Sequence, residues 1–347
     1  MGSDGAIAEL ILEGAYRVVS VVGLAKNSGK TTTLNRIIGD MASRKVSLGL
    51  TSTGRDGEAI DALLHTRKPR IEVGPGVIFT GVRGDLTGDE TKSKGVEVLR
   101  TTEHTTALGN VIVARANRLV RVVLVGPSTV SGMTRLVSSL LDEDRCTLVL
   151  VDGSMDRLAA AGPGIADGVV LAVGAVMGPD MSGVVEKTAH AVELLTTEKT
   201  CVLLPVDVEN DRIVAAGTDG TRWETRCGTL VSDFEWAIER LEEGAGYLFT
   251  TGAVTDEVLE GLIRRGLFAE LIVRDATRLF VSRRGKKRWE NGGGRLSVLT
   301  PLRLIAVTVN PENPEGRGFD GHEFLRAMRE RLLGVDVFDV MEHRNDT

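Results

Sequence analysis

The stretch VVGLAKNSGKTTTLNRII, residues 21–38, sets an apolar run before a loop of small residues, then Gly-Lys-Thr, then an amphipathic segment. That succession of residue types makes a cradle for phosphate. Backbone N–H groups and a helix N-terminus converge on phosphate oxygens, a lysine adds a point charge, and the next hydroxyl ligates Mg²⁺. Lys30 and Thr31 fill the last two roles here. Amides from Gly29 to Thr32 would face the phosphates, and Asn27 and Ser28 are small enough to line the loop. The spacing is unusual: five residues separate Gly23 from Gly29 where four are the rule, and Leu24 stands where glycine is expected. The expected meaning is that Gly23 ends the strand and the loop is one residue longer. An ordinary strand-to-helix turn containing Gly-Lys-Thr is the alternative, and the flanking strand and amphipathic helix favour the phosphate site.

A metal-bound triphosphate also needs a carboxylate at the end of a neighbouring buried strand. TLVLVDGSMDR supplies Asp152 after an apolar, β-branched run, the arrangement of a Walker B aspartate, against the alternative of a strand-ending turn cap. Asp156 and Arg157 follow it, and either reach phosphate or face water. A second candidate is Asp56, 26 residues beyond Lys30 in GLTSTGRDGEAID, able to order water or a switch loop over the nucleotide. A polar connection with Glu58 capping the next helix is the other reading of that segment. The catalytic set is therefore Lys30, Asp56 and Asp152, with Asn27, Ser28, Gly29, Lys30, Thr31 and Thr32 holding nucleotide, and Thr31 and Asp152 holding Mg²⁺. The base-reading Asn-Lys-x-Asp of many GTPases is absent, which favours ATP. Asn310 ends an expected strand and is a candidate to touch the base.

Composition excludes several classes. At 347 residues with 42% hydrophobic and 26% charged side chains, the chain affords a sizeable core and more than one domain. A formal charge of −6 gives no general attraction to nucleic acid or anionic membrane. Cys146, Cys201 and Cys227 lie far apart, without disulfide or zinc spacing, and fit a reducing cytoplasm. No stretch approaches the roughly 20 apolar residues that span a bilayer, so a cytoplasmic location is expected. SRRGKKRWE gathers five cations beside Trp289 and reads as a solvated hairpin tip rather than a nucleic-acid site. His104, His190 and His322 stand singly, as surface or packing residues.

The elements that must position these groups are buried strands alternating with helices, the habit of a mostly parallel sheet. Strands are expected at 17–22, 46–50, 122–125, 147–151, 168–173 and 200–204, and helices at 30–41, 133–140 and 181–195. Residues of about 70–117 read as a β-rich insertion of short antiparallel strands. VVLVGPSTVSGMTRLV reads as a capped helix start rather than an anion site. A texture change after Val206 divides a nucleotide-binding domain, 1–206, from a smaller C-terminal α/β part, 207–347. That part holds a helix near 233–241, the strands GYLFTTGA, AELIVRDA and RLIAVTVN, a helix TDEVLEGLIRRG, a hairpin through residues 278–302 and a helix at 320–333. The fold class is thus α/β: a P-loop NTPase with a mostly parallel sheet flanked by helices, plus that smaller part.

GLAKNSGKTTTLN, LTSTGRDGE, LVDGSMDR, ADGVVLAVGAVMGPDMSGVVEKT and LIAVTVNPENPEG followed by FDGHEFLRAM occur in this order along most of the chain. In that succession the chain resembles the P-loop subunit of the lysine 5,6-aminomutase reactivase. The family's loop shares the Gly-Leu-Ala-Lys-Asn form, which makes the odd spacing a family trait. The resemblance implies an ATP- and Mg²⁺-dependent factor that restores an aminomutase dependent on adenosylcobalamin and pyridoxal phosphate by helping it release inactivated cobalamin, with a MutS-like ATPase subunit as partner. Two rivals stand beside it: a small-molecule kinase or ATP-dependent ligase of the dethiobiotin-synthetase type, and a non-catalytic nucleotide-binding module. The nucleotide, the client and formation of a homo-oligomer are left open by the sequence.

Overall fold

The computed structural model describes residues 5–53, 71–84, 95–154, 162, 164–204, 212–217, 219–225, 228–314 and 316–341. In chain order the elements are α1 (Ala6–Glu13), β1 (Val18–Gly23), α2 (Lys30–Ser43), β2 (Leu48–Ser52), β3 (Ile71–Val73), β4 (Ile78–Val82), β5 (Val96–Thr106), β6 (Gly109–Ala116), β7 (Val120–Val122), α3 (Val130–Asp142), β8 (Leu148–Ser154), β9 (Gly168–Gly174) and α4 (Met181–Leu195). Then follow β10 (Ile213–Gly217), β11 (Arg222–Thr225), α5 (Phe234–Glu242), β12 (Ala245–Thr250), β13 (Val254–Thr255), α6 (Asp256–Arg264), β14 (Glu270–Val273), β15 (Leu279–Phe280), α7 (Arg283–Asn291), β16 (Arg295–Val298), β17 (Leu304–Asn310), α8 (Gly321–Arg331) and β18 (Val337–Asp339).

Two compact units result, 1–189 with 303–347, and 190–302. The texture change had suggested a division at 206/207, but residues 303–347 group with the first unit, because β17 pairs in parallel with β9. Among the described residues the first unit holds a nine-stranded sheet in the order β18-β17-β9-β1-β8-β2-β4-β6-β5. From β18 to β4 every neighbouring pair is parallel, and β6 then runs antiparallel to β4 and to β5. The segment expected as an insertion is therefore the sheet's own antiparallel edge, with β3 and β7 forming a separate two-stranded ladder.

The central strands are apolar on both sides because both sides are covered. Val19, Val21, Leu48, Leu50, Leu148 and Leu150 pack with Ile7 and Ile11 of α1 and Leu34, Ile37 and Met41 of α2. The alternate residues Val18, Val149 and Val151 pack with Met133, Val137 and Leu140 of α3. A period-2 strand pattern thus meets a period-3.6 helix stripe on each face. Cys146 lies in the second of these cores, where burial, with Asp144 nearby, pushes its thiol up to about 12 and leaves it un-ionised at neutral pH.

In the second unit β12, β14 and β16 are parallel and β10 and β11 antiparallel, in the order β11-β10-β12-β14-β16. The expected strand at 200–204 is not formed; Lys199 makes only an isolated parallel bridge to Val298. The expected hairpin through 278–302 is also replaced, by the short strand β15, helix α7 and the parallel strand β16. The basic run SRRGKKRWE is hence a helix capped by Ser282, whose Oγ accepts from the Gly285 N–H at 3.0 Å. Lys286 Nζ lies 2.6 Å from Glu193 Oε1 and 2.5 Å from Glu290 Oε1. Burial is the largest single influence and works against the charge on both Lys286 and Glu193. Their mutual hydrogen bond and the attraction of neighbouring opposite charges, Glu290 for the lysine and Arg283 for the glutamate among them, together outweigh it, raising the lysine's pKa and lowering the glutamate's. Trp289 is fully buried and cannot stack on a nucleic-acid base.

Candidate phosphate site

β1 ends at Gly23, as the stretched spacing had implied, and the chain crosses to α2 through residues 24–29. Two residues in this crossing take left-handed backbone: Asn27 (φ 63°) and Gly29 (φ 91°). Asn tolerates that region and glycine takes it freely, so the extra residue is absorbed without disturbing the helix start. The loop is tied down on both flanks. Leu24 N–H donates to the Ala172 carbonyl of β9 at 3.0 Å, and Ser28 N–H donates to the Ala25 carbonyl at 3.3 Å. Gly174 ends β9 directly beneath: a side chain there would stand 2.9 Å from Ser28 Cα. Thr33 Oγ1 shares a 2.7 Å hydrogen bond with Thr308 Oγ1 of β17, which moors the first turn of α2 to the sheet.

Gly29 precedes α2 without a side-chain cap, so the first N–H groups of the helix have no intrahelical acceptor and point out at the loop. Lys30 Nζ lies 2.9 Å from Asp152 Oδ1, and both side chains are partly solvated. Asp152 sits in β8 next to β1, in register with Val21, and on its other side with Ser52 of β2. Its carbonyl accepts from Ser52 Oγ at 3.1 Å and from the Thr53 N–H at 3.0 Å, which joins the loop after β2 to the same spot. Asp152 Oδ1 is buried and receives no hydrogen bond of good angle, so Lys30 faces it as a point charge. Ser28 Oγ is likewise buried, at 1% residue exposure, and has no hydrogen-bond partner. Two buried oxygens without directional partners beside a row of helix-start amides form a polar centre that is incomplete by itself.

Lys30, Thr31, Thr32, Ser28, Gly29, Asn27 and Asp152 therefore come together at the carboxyl end of the parallel strands, the edge where open α/β sheets bind ligands. Asp56 and Glu58, like Asp156 and Arg157, lie outside the described residues. The turn expected to cap α3 does so: Thr129 Oγ1 accepts from the Gly132 N–H at 3.2 Å. His190 packs inward, its Nε2 2.8 Å from the Val281 carbonyl. Among the described residues no group of three or more His, Cys, Asp or Glu is placed to hold a metal. Local pattern could not single out the supports supplied by Thr308 and Gly174, because their role depends on which strands become neighbours of β1.

Gly29 offers a direct check on this geometry. A Cβ there would stand 2.7 Å from Asn310 Cβ, and the left-handed backbone costs a non-glycine residue about 1–2 kcal/mol. Gly29→Ala is expected to lower Tm by several degrees at roughly 2–4 °C per kcal/mol. Gly39, exposed in the interior of the same helix with nothing near its Cβ position, supplies the opposite sign. Gly39→Ala is expected to stabilise by about 0.5–1 kcal/mol. Thermal unfolding followed by circular dichroism reads both, and equal effects would contradict the loop geometry.

Comparison with known proteins finds no family model that matches the chain and no matching curated protein.

Proposed function

We propose that the chain is a P-loop NTPase that binds ATP with Mg²⁺ and acts as an accessory factor restoring an adenosylcobalamin-dependent aminomutase. The observation that carries the nucleotide part is the meeting of Lys30 with Asp152 at 2.9 Å, beside the uncapped start of α2. The residues suit the ligand. Lys30 and the amides of Gly29 to Thr32 would hold the β- and γ-phosphates, Thr31 and Asp152 the Mg²⁺, and Ser28 Oγ would gain the partner it lacks. Bound Mg²⁺ supplies charge neutralisation of the phosphates. With phosphate bound, Lys30 would pair with it and leave the Asp152 carboxylate to the metal. Ser52 and Thr53 tie the loop after β2 to the Asp152 carbonyl, so a change at the carboxylate is felt in that loop. The client and the MutS-like partner are supported by the resemblance of the ordered stretches.

Asp152→Asn tests the metal assignment, because it keeps size and removes charge. ATP binding is expected to persist, while the Mg²⁺ affinity of the complex falls about 10–100-fold and turnover falls with it. Unchanged turnover across a Mg²⁺ titration would contradict the assignment. The accessory role is tested by ATP turnover alone and with candidate partners. Slow intrinsic hydrolysis stimulated by a protein retained from native lysate in the presence of non-hydrolysable ATP supports it. Stimulation by a small-molecule acceptor, with a phosphorylated or ligated product, would replace it with the kinase or ligase reading.

A further inference from the structure

We infer that the second unit carries two complementary faces that join copies of this chain head to tail, the start of α7 in one copy docking on the end of α5 in the next. Helices α5, α6 and α7 pack into a single apolar core on the sheet of this unit. Helix α6 lies between the other two. Phe234 of α5 packs on Gly261 of α6, where a Cβ would stand 2.3 Å from its ring, and Glu260 of α6 reaches Arg288 of α7 at 3.7 Å. The outer sides of α5 and α7 therefore look to opposite flanks.

Their charges are opposite, and each set has the wrong sign for its own helix. A helix is positive at its first turn and negative at its last, so acids favour the start and cations the end. Helix α6 obeys, with Asp256 and Glu257 in its first turn and Arg264 in its last. Helix α7 instead opens with Arg283, Arg284, Lys286 and Lys287 and has no acidic residue in its first turn. Lys286 is matched by Glu193 and Glu290, whereas Arg284 and Lys287 are exposed and make no ion pair among the described residues. Helix α5 closes on Glu239 and Glu242, with Glu243 next, against the single cation Arg240, which lies 3.0 Å from Glu239 and 2.7 Å from Glu243. Glu242 is exposed and has no ion pair among the described residues. Charges so placed oppose their own helix dipoles, and the start of α7 set against the end of α5 satisfies charges and dipoles alike. Phe280, 63% exposed just before α7, adds an apolar anchor. Trp223 and Trp236, partly buried with Arg240 5.9 Å from each ring, offer it an aromatic seat. Because the two faces differ and look to opposite flanks, the contact is heterologous and passes from copy to copy.

Sedimentation velocity of the full chain over a concentration series tests this. Wild type is expected to associate at about 0.1 M salt and to dissociate at about 1 M, as the screening length falls from about 10 Å to about 3 Å. Arg284→Glu with Lys287→Glu makes the α7 face acidic, and Glu239→Lys with Glu242→Lys makes the α5 face basic. All four side chains are exposed, so both variants are expected to keep the wild-type circular-dichroism spectrum. Each alone is expected to associate at least about tenfold more weakly, since attractive pairs become repulsive. Mixed in equal amounts they are expected to recover wild-type association, because every α7 face again meets an α5 face of opposite sign. Should a reversed variant lose its spectrum, Arg284→Gln with Lys287→Gln is read in its place, and association at wild-type strength there contradicts the inference. Wild type that stays monomeric at about 0.1 M salt overturns it, whether or not phosphatidylserine vesicles or an acidic peptide bind α7. So does self-association of either reversed variant at wild-type strength, or a mixture that fails to recover it.

Discussion

Lys30→Ala is expected to cost at least about a hundredfold in affinity for MgATP while the fold survives. The ammonium makes charge-assisted hydrogen bonds to phosphate worth about 1.5–3 kcal/mol each, so two such contacts amount to roughly 10²–10⁴ in affinity. Its worth to the fold is far smaller. The ion pair with Asp152 is partly solvated, with side chains 27% and 20% exposed, and lacks good hydrogen-bond angles. Pairs of that kind contribute about 0–1 kcal/mol. Calorimetry and a thermal melt on the same preparation separate the two effects. A melting temperature within about 4 °C of wild type, together with lost binding, is the expected pair of results. Retained binding would remove Lys30 from the site.

The second large effect concerns stability, and it falls on the second unit. Trp289 is fully buried, its ring 5.4 Å from that of Phe268, and its Nε1 donates to the Arg295 carbonyl at 3.3 Å. It sits in one apolar cluster with Leu259, Leu262, Leu271 and Val273. Gly294 folds against the indole so closely that a Cβ there would meet it at 2.2 Å, so the surrounding backbone has been shaped to this ring. Trp289→Ala leaves a cavity that such a fitted shell fills poorly, and is expected to cost about 3–5 kcal/mol. All three tryptophans, 223, 236 and 289, lie within residues 190–302, so intrinsic fluorescence reports that unit. The expected outcome is a large drop in the fluorescence-detected denaturation midpoint, with MgATP affinity unaltered at the site in the first unit. A midpoint near wild type would mean the ring is not the centre of that core.

What the residues disclosed before any coordinates was governed by how local each determinant is. Helix α4 was legible to its end residues, because VVEKTAHAVELL carries an apolar stripe at helical spacing between a polar start and a threonine pair. The central strands β1, β8 and β9 were legible to within three residues, since burial on both faces writes an unbroken apolar run. Helix α7 was not: only Gly285 and Trp289 turn inward, and five cations followed by three consecutive glycines read as a solvated turn. The expected strand at 200–204 had the right residue types but found a ladder partner only at Lys199. The return of β17 to the side of β9, and the parallel pairing of β4 with β2, are long-range choices that no local pattern encodes. Of the candidate site, Lys30, Thr31 and Asp152 were legible from motif chemistry. The roles of Thr308 and Gly174 emerged only once β17 and β9 were set beside the loop.

The central claim is that the start of α2 holds a magnesium-bound triphosphate. A crystal structure of the chain grown in saturating ATP and Mg²⁺ tests it most directly. The expected map shows triphosphate density over the amides of Gly29 to Thr32, with Lys30 Nζ moved from its present 2.9 Å contact with Asp152 onto phosphate oxygen. A loop without nucleotide density, with Lys30 still on Asp152, would contradict it.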